Sequence, residues 1–126
     1  MPHASQVRRV LIVNADRRVR RDLAQLLALT PELDVAGTAP DVPTAQSLLA
    51  ESEPDVVVVD PRLPSIEAGF AFIDELRRTS GARIVVLSHD EQLEARARAH
   101  GVDAFLTECD PPAAIVAAVA GASAAA

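Results

Sequence analysis

Residues 56–59 are four valines in a row, ended by Asp60. A β-branched run with no polar member has no solvent face, so it fits a strand covered on both sides at the centre of a sheet. Val10–Val13 and Ile84–Leu87 have the same character. Asp34–Thr38 and Ala104–Leu106 read as weaker strands. The intervals carry helical spacing. Asp16 stands at an N-cap position before Val19, Leu23, Leu26 and Leu27, with arginines on the opposite face and Pro31 as the stop. Asp41, followed by Val42 and Pro43, opens a second helix through Leu48 and Leu49 that Pro54 ends. Phe70, Ile73 and Leu76 mark a third, closed by Gly81. Glu91–His100 forms a charged fourth with Gly101 at C′. Asp110, Pro111 and Pro112 start an alanine-rich fifth.

Five strands alternating with five helices predict an α/β fold, a parallel sheet with helices on both faces. Right-handed crossovers favour a doubly wound five-stranded sheet in the order 2-1-3-4-5. Residues 1–6 read as a flexible lead, 7–121 as the domain and 122–126 as a frayed tail. In such sheets the functional site lies at the carboxyl ends of the strands. Asn14, Ala15 and Asp16 end strand 1, and Asp60 ends strand 3. Ser88 and His89 end strand 4, and Thr107 and Glu108 end strand 5. The glycines never approach the G-x-G-x-x-G spacing of a phosphate loop.

Composition narrows the chemistry. All twelve positive side chains among the 126 residues are arginine, against eighteen acids, for a net charge of −6. Without lysine, Schiff-base catalysis and lysine clamps on phosphoryl groups are excluded. The acidic balance argues against direct nucleic-acid binding. Charge is uneven: residues 1–30 carry six arginines and two acids, while 31–126 carry six arginines and sixteen acids. The lone Cys109 excludes an internal disulfide. No run reaches the length of a membrane span, residues 1–6 lack a signal-peptide pattern, and a cytoplasmic protein is expected. His3, His89 and His100 are scattered, so no metal site is expected from them.

The strand ends resemble those of response-regulator receiver domains, the CheY-like family. The likeness runs from about Val7 to Ala120 and rests on four segments in order. They are Val-Leu-Ile-Val-Asn-Ala-Asp at strand 1, Glu-Pro-Asp-Val-Val-Val-Val-Asp-Pro-Arg-Leu-Pro at strand 3, Arg-Ile-Val-Val-Leu-Ser-His at strand 4 and His-Gly-Val-Asp-Ala-Phe-Leu-Thr at strand 5. The resemblance implies phosphoryl transfer onto the strand-3 aspartate, aided by a divalent cation, a hydroxyl and a lysine. Asp60 matches the phosphoacceptor, Ser88 the switch hydroxyl and Phe105 the switch aromatic. Arg62 falls where a backbone carbonyl would bind the metal, which gives its side chain little importance.

Other positions depart from the pattern. The acidic pair falls on Asn14 and Ala15, and the lysine position on Glu108. His89 replaces the small residue after the hydroxyl, and the loop glycine falls on Ala68, with Gly69 one place late. A glutamate in place of lysine sets a like charge ~4 Å from an incoming dianion, on the order of 4 kcal/mol at effective dielectric ~20. The expected protein is an atypical receiver, not an enzyme, with magnesium binding weak or absent and no catalytic residue. It would signal by protein contacts or as a homodimer through the helix 4–strand 5–helix 5 face. From Pro111 onward the last helix carries no charge, which suits a second covered side. Two alternatives stand: a conventional Asp60 phosphoacceptor with an unusual metal site, and a receiver-like sensor of a small molecule. Asp60, Glu108 and Asp16 would crowd negative charge without a cation. A lid from Arg17 or Arg18, or protonation of His89, would relieve it. His89, beside Ser88 on a strand end, is expected to point away from the site.

Overall fold

The computed structural model describes residues 7–121, so the lead and the tail lie outside the described residues. The chain runs β1 (Arg8–Val13), α1 (Arg17–Ala28), β2 (Leu33–Ala39), α2 (Val42–Ser52), β3 (Val56–Val59), α3 (Ile66–Thr79), β4 (Arg83–Leu87), α4 (Glu94–Ala99), β5 (Ala104–Leu106) and α5 (Pro112–Ala120). The strands form one parallel sheet in the order β2-β1-β3-β4-β5, as the alternation predicts.

The valine run of β3 holds the centre. Val56 and Val58 pack with Val10 and Ile12 of β1 and Val85 and Leu87 of β4 against Leu23 and Leu27 of α1 and Ile115 and Val119 of α5. Val57 and Val59 turn to the other face, among Leu11, Val13, Phe70, Phe72, Ile73 and Leu76. All four are essentially inaccessible. β3 therefore buries two side chains on each face, worth roughly 1.5–3 kcal/mol apiece. Pairing Val10–Val13 with Val56–Val59 without slippage sets the strand ends level. The Asp60 N–H then donates to the Val13 carbonyl at 3.1 Å, and the Ser88 N–H to Leu106 at 3.1 Å.

The caps agree with the sequence in part. Asp16 accepts from the N–H groups of Arg18 and Val19, and Asp41 from that of Thr44. Hydrogen bonds from Thr44, with Arg20 nearby, hold the Asp41 carboxyl below the usual carboxylate range. Two details differ. Glu91–Leu93 is a 3-10 turn, and the α-helix begins only at Glu94, because Asp90 caps the turn by accepting from the Gln92 N–H. The third helix ends on extended Ser80, whose N–H reaches Leu76, and not on Gly81. Gly101 does take the left-handed conformation expected after α4, with φ +82°.

The loop after β3 corrects a second reading. Gly69, not residue 68, is where a side chain is forbidden: a Cβ there would lie 1.5 Å from the Pro61 carbonyl oxygen. Backbone meets backbone, so no rotamer relieves the clash. Gly69→Ala should therefore cost about 3 kcal/mol or more in chemical denaturation, whereas Gly81→Ala, which meets open space, should stay within about 0.5 kcal/mol of the parent.

Candidate functional site

Asp60 leaves the core at the end of β3 with its side chain only 7% exposed. A carboxylate in that position needs donors. They come from two residues further along the same loop. Asp60 Oδ1 accepts from the Arg62 backbone N–H at 3.1 Å and from its Nε at 3.4 Å, and Oδ2 accepts from Nη2 at 3.1 Å. The guanidinium thus grips both oxygens in the forked geometry that favours arginine–carboxylate pairs. Hydrogen bonding to Asp60 raises the Arg62 pKa further above its ordinary range, and Asp90 and Glu108 add to the effect.

Arg62 is held from its far side as well. Its Nη1 lies 2.8 Å from His89 Nε2, and its Nη2 lies 2.8 Å from His89 Nδ1. A guanidinium only donates, so the ring must accept, and a neutral imidazole accepts at one nitrogen at a time. His89 Nδ1 is also 3.9 Å from Glu108 Oε2. The loop after β5 places that glutamate. Thr107 N–H donates to Asp110 Oδ2 at 2.8 Å, and Cys109 N–H to Thr107 Oγ1 at 3.2 Å. Asp60, Arg62, His89 and Glu108 therefore form one chain of contacts across the ends of β3, β4 and β5.

On the β1 side the groups are engaged locally. Asn14 is 5% exposed, and its Oδ1 accepts from the Asp16 N–H at 2.8 Å. Arg20 Nη1 donates to the Asn14 carbonyl at 2.7 Å. Ala15 is exposed. Ser88 is fully buried, and its Oγ accepts from the Asp90 N–H at 3.3 Å. Phe105 is partly buried against the α3 side of the core.

These positions alter several expectations. The arginine over Asp60 is Arg62, while Arg17 and Arg18 are exposed and make no hydrogen bond or ion pair with it. Asp16 does not turn toward the site, because its carboxylate caps α1. His89 meets Arg62 and Glu108 rather than pointing away: the chain has left β4 at Leu87, so strict alternation no longer applies. Arg20 was not singled out in the sequence; its only signal was membership of the arginine cluster.

A family model described as the response regulator receiver domain matches residues 10–120. Among curated proteins, the chain is 29% identical over 104 residues to a protein-glutamate methylesterase/protein-glutamine glutaminase of Methylobacillus flagellatus, covering 79% of this chain and 29% of that one. A protein of the same name from Dechloromonas aromatica is 32% identical over 80 residues, covering 64% of this chain and 23% of that one. The chain thus spans less than a third of the length of these relatives. Among solved structures, a LuxR-family two-component response regulator from Aurantimonas is 27% identical with a TM-score of 0.83, covering 95% of this chain and 87% of that one. The response regulator domain of Thermotoga maritima CheB superposes with a TM-score of 0.73 at 24% identity, over 85% of this chain and 82% of that one.

Because Asp60 is buried and Arg62 is its donor, Arg62→Ala should destabilise the fold by about 2 kcal/mol in urea at neutral pH. Adding Asp60→Asn should recover part of the loss, giving a coupling of about 1–2 kcal/mol in the double-mutant cycle. A raised arginine pKa contributes stability that is complete below the ordinary arginine range and lost only as pH rises through the folded value. The Arg62 contribution should therefore be flat from pH 5 to pH 9.

Proposed function

The chain belongs to the response regulator receiver domain family of two-component signalling, and from that premise we propose that it is an atypical receiver whose acceptor carboxylate is neutralised by its own Arg62 instead of by a metal ion. The observation that carries this reading is the two-oxygen grip of Arg62 on Asp60. A nucleophilic carboxylate needs a free lone pair aimed at the phosphodonor. Here Arg62 fills three of the roughly four acceptor sites of Asp60, and its positive charge lowers the nucleophilicity of the one that remains.

The donor set does not fit a divalent cation. Magnesium takes one or two carboxylates in near-octahedral geometry. The two positions that would supply them are the amide Asn14, already bonded to the Asp16 N–H, and the methyl of Ala15. No cluster of three or more His, Cys, Asp or Glu groups able to hold a metal occurs among the described residues. Glu108, where the family's lysine would stand, meets His89 and repels a dianion. The chain signals by protein contact, with the α4–β5–α5 face as the surface that changes partners. The esterase activity in the relatives' names belongs to those longer proteins and is not assigned to this chain. No helix among the described residues is long and apolar enough to cross a membrane.

Incubation with acetyl phosphate and magnesium tests the proposal. Intact-mass measurement should show no adduct of about 80 Da, the mass of one phosphoryl group. The variant Asn14→Asp/Ala15→Asp/Arg62→Ala/Glu108→Lys should gain that adduct, and adding Asp60→Asn should remove it. An Asp60-dependent adduct on the unaltered chain would establish the conventional phosphoacceptor instead. A melting shift on adding a small ligand, without phosphodonor, would favour the sensor.

A further inference from the structure

Among the described residues, α4 is the helix with the least apolar hold on the rest of the chain. It buries only Ala97, a single methyl group. By contrast α3 buries Phe70, Phe72, Ile73 and Leu76, and α1 and α5 each bury two branched side chains. The second helix also buries one alanine, but Val42, Leu48 and Leu49 pack beside it at the edge of the core. The ends of α4 are loosely built. No side chain caps its N-terminus, and the 3-10 turn ahead of it has poorer hydrogen-bond geometry than an α-helical turn. Its C-terminus turns on Gly101 at φ +82°. The buried Leu93 and Val102 bracket it.

What holds α4 is a layer of polar and aromatic side chains on α3. His100 Nδ1 donates to Asp74 Oδ1 at 2.8 Å, since a carboxylate only accepts. The imidazole stacks on Phe70 with centroids 4.6 Å apart and planes at 24°. Arg96 lies one turn earlier on the same face of α4. Its guanidinium carbon is 4.8 Å from the Phe70 ring centroid, and its Nη1 is 4.0 Å from Glu67 Oε2. Arg77 Nη1 donates to the His100 carbonyl at 3.5 Å. The same guanidinium lies against the bare Cα of Gly101, where a Cβ would come within 2.7 Å of it. Glu67, Phe70, Asp74 and Arg77 recur at intervals of three, four and three, so one stripe of α3 carries every one of these contacts. The Glu94–Arg98 pair at 2.9 Å is internal to α4 and adds no hold on α3.

We propose that this stripe is a latch: α4 opens between Leu93 and Val102 as a local unit while the sheet stays folded, and the His100–Asp74 and Arg96–Phe70 contacts set how often it does so. Opening gives up one methyl of core, together with polar contacts that water partly replaces. Because α4 is one wall of the α4–β5–α5 face, the latch decides when that face is complete. That last step rests on the reading of the face as the contact surface; the opening itself does not.

Native-state hydrogen exchange on the full chain, read by NMR at neutral pH without partner or phosphodonor, tests the latch. The amides of Ala97, Arg98, Ala99 and His100 should be protected, yet exchange about a hundredfold or more faster than those of Val57 and Val58 in β3. Asp74→Ala should speed the α4 amides about tenfold further and widen that gap. Arg96→Gln should widen it by a smaller factor. His100→Asn keeps a donor near the Nδ1 position but loses the stack, so it should fall between the parent and His100→Ala. Val58→Ala, which weakens the core itself, should speed β3 and narrow the gap. The proposal is overturned if α4 and β3 exchange together in the parent, or if the α4 amides are unprotected there. A gap that Asp74→Ala leaves unchanged, or moves in the same direction as Val58→Ala, overturns it too. Since no partner enters the measurement, a failed latch leaves the reading of the face untouched, and a failed face leaves the latch.

Discussion

A carboxylate at the end of a strand buried on both faces must be given donors or give up its charge. That constraint organises the whole carboxyl edge of this sheet. The four valines of β3 deliver Asp60 to a point where its side chain is almost closed from water. Arg62 answers from the next loop, His89 backs the guanidinium, and Glu108 lies beyond the ring. Asn14 and Ala15 leave Asp60 without neighbouring carboxylates, and Arg62 stands over it as the counter-charge. Without a cation the aspartate needs a replacement charge, and a guanidinium supplies it with directional hydrogen bonds that an ammonium would not.

The fold was largely legible because it rests on pattern. Val56–Val59 and Ala104–Leu106 were readable to the residue, since each is a short apolar run bounded by polar or turn residues. Asp16 and Asp41 announced their helices because capping is a local contact, complete within three residues. The break at Glu91–Leu93 was not legible. Its charges continue smoothly into α4, and only the Asp90 cap separates the turn from the helix.

The site was half legible for a related reason. Asp60, Ser88 and Asn14 are fixed by strand register, which the sequence encodes. Arg62 was undervalued because its place in the loop suggested a backbone role, and nothing local indicates which way a long side chain will fold. The missing carboxylates at Asn14 and Ala15 were the available clue that some cation had to come from elsewhere. Arg17 and Arg18 seemed nearer in the order of strand ends, but α1 carries them out to solvent. The absence of lysine from the chain likewise gains a location: the loop after β5 carries Glu108, and the positive charge beside Asp60 comes from Arg62 in the loop after β3.

The contact between Gly69 and the Pro61 carbonyl has a consequence for how such a site changes over generations. It pins both ends of the segment 61–69, with Leu63 buried between them; Pro64, Ser65 and Glu67 are exposed, and Arg62 is partly so. Sequence drift is therefore partitioned. Pro61, Leu63 and Gly69 tolerate little, whereas a substitution at position 62 changes the charge over Asp60 at a cost in stability and not in the path of the chain. The charge over Asp60 and the path of the chain are thus set by different residues of one short loop.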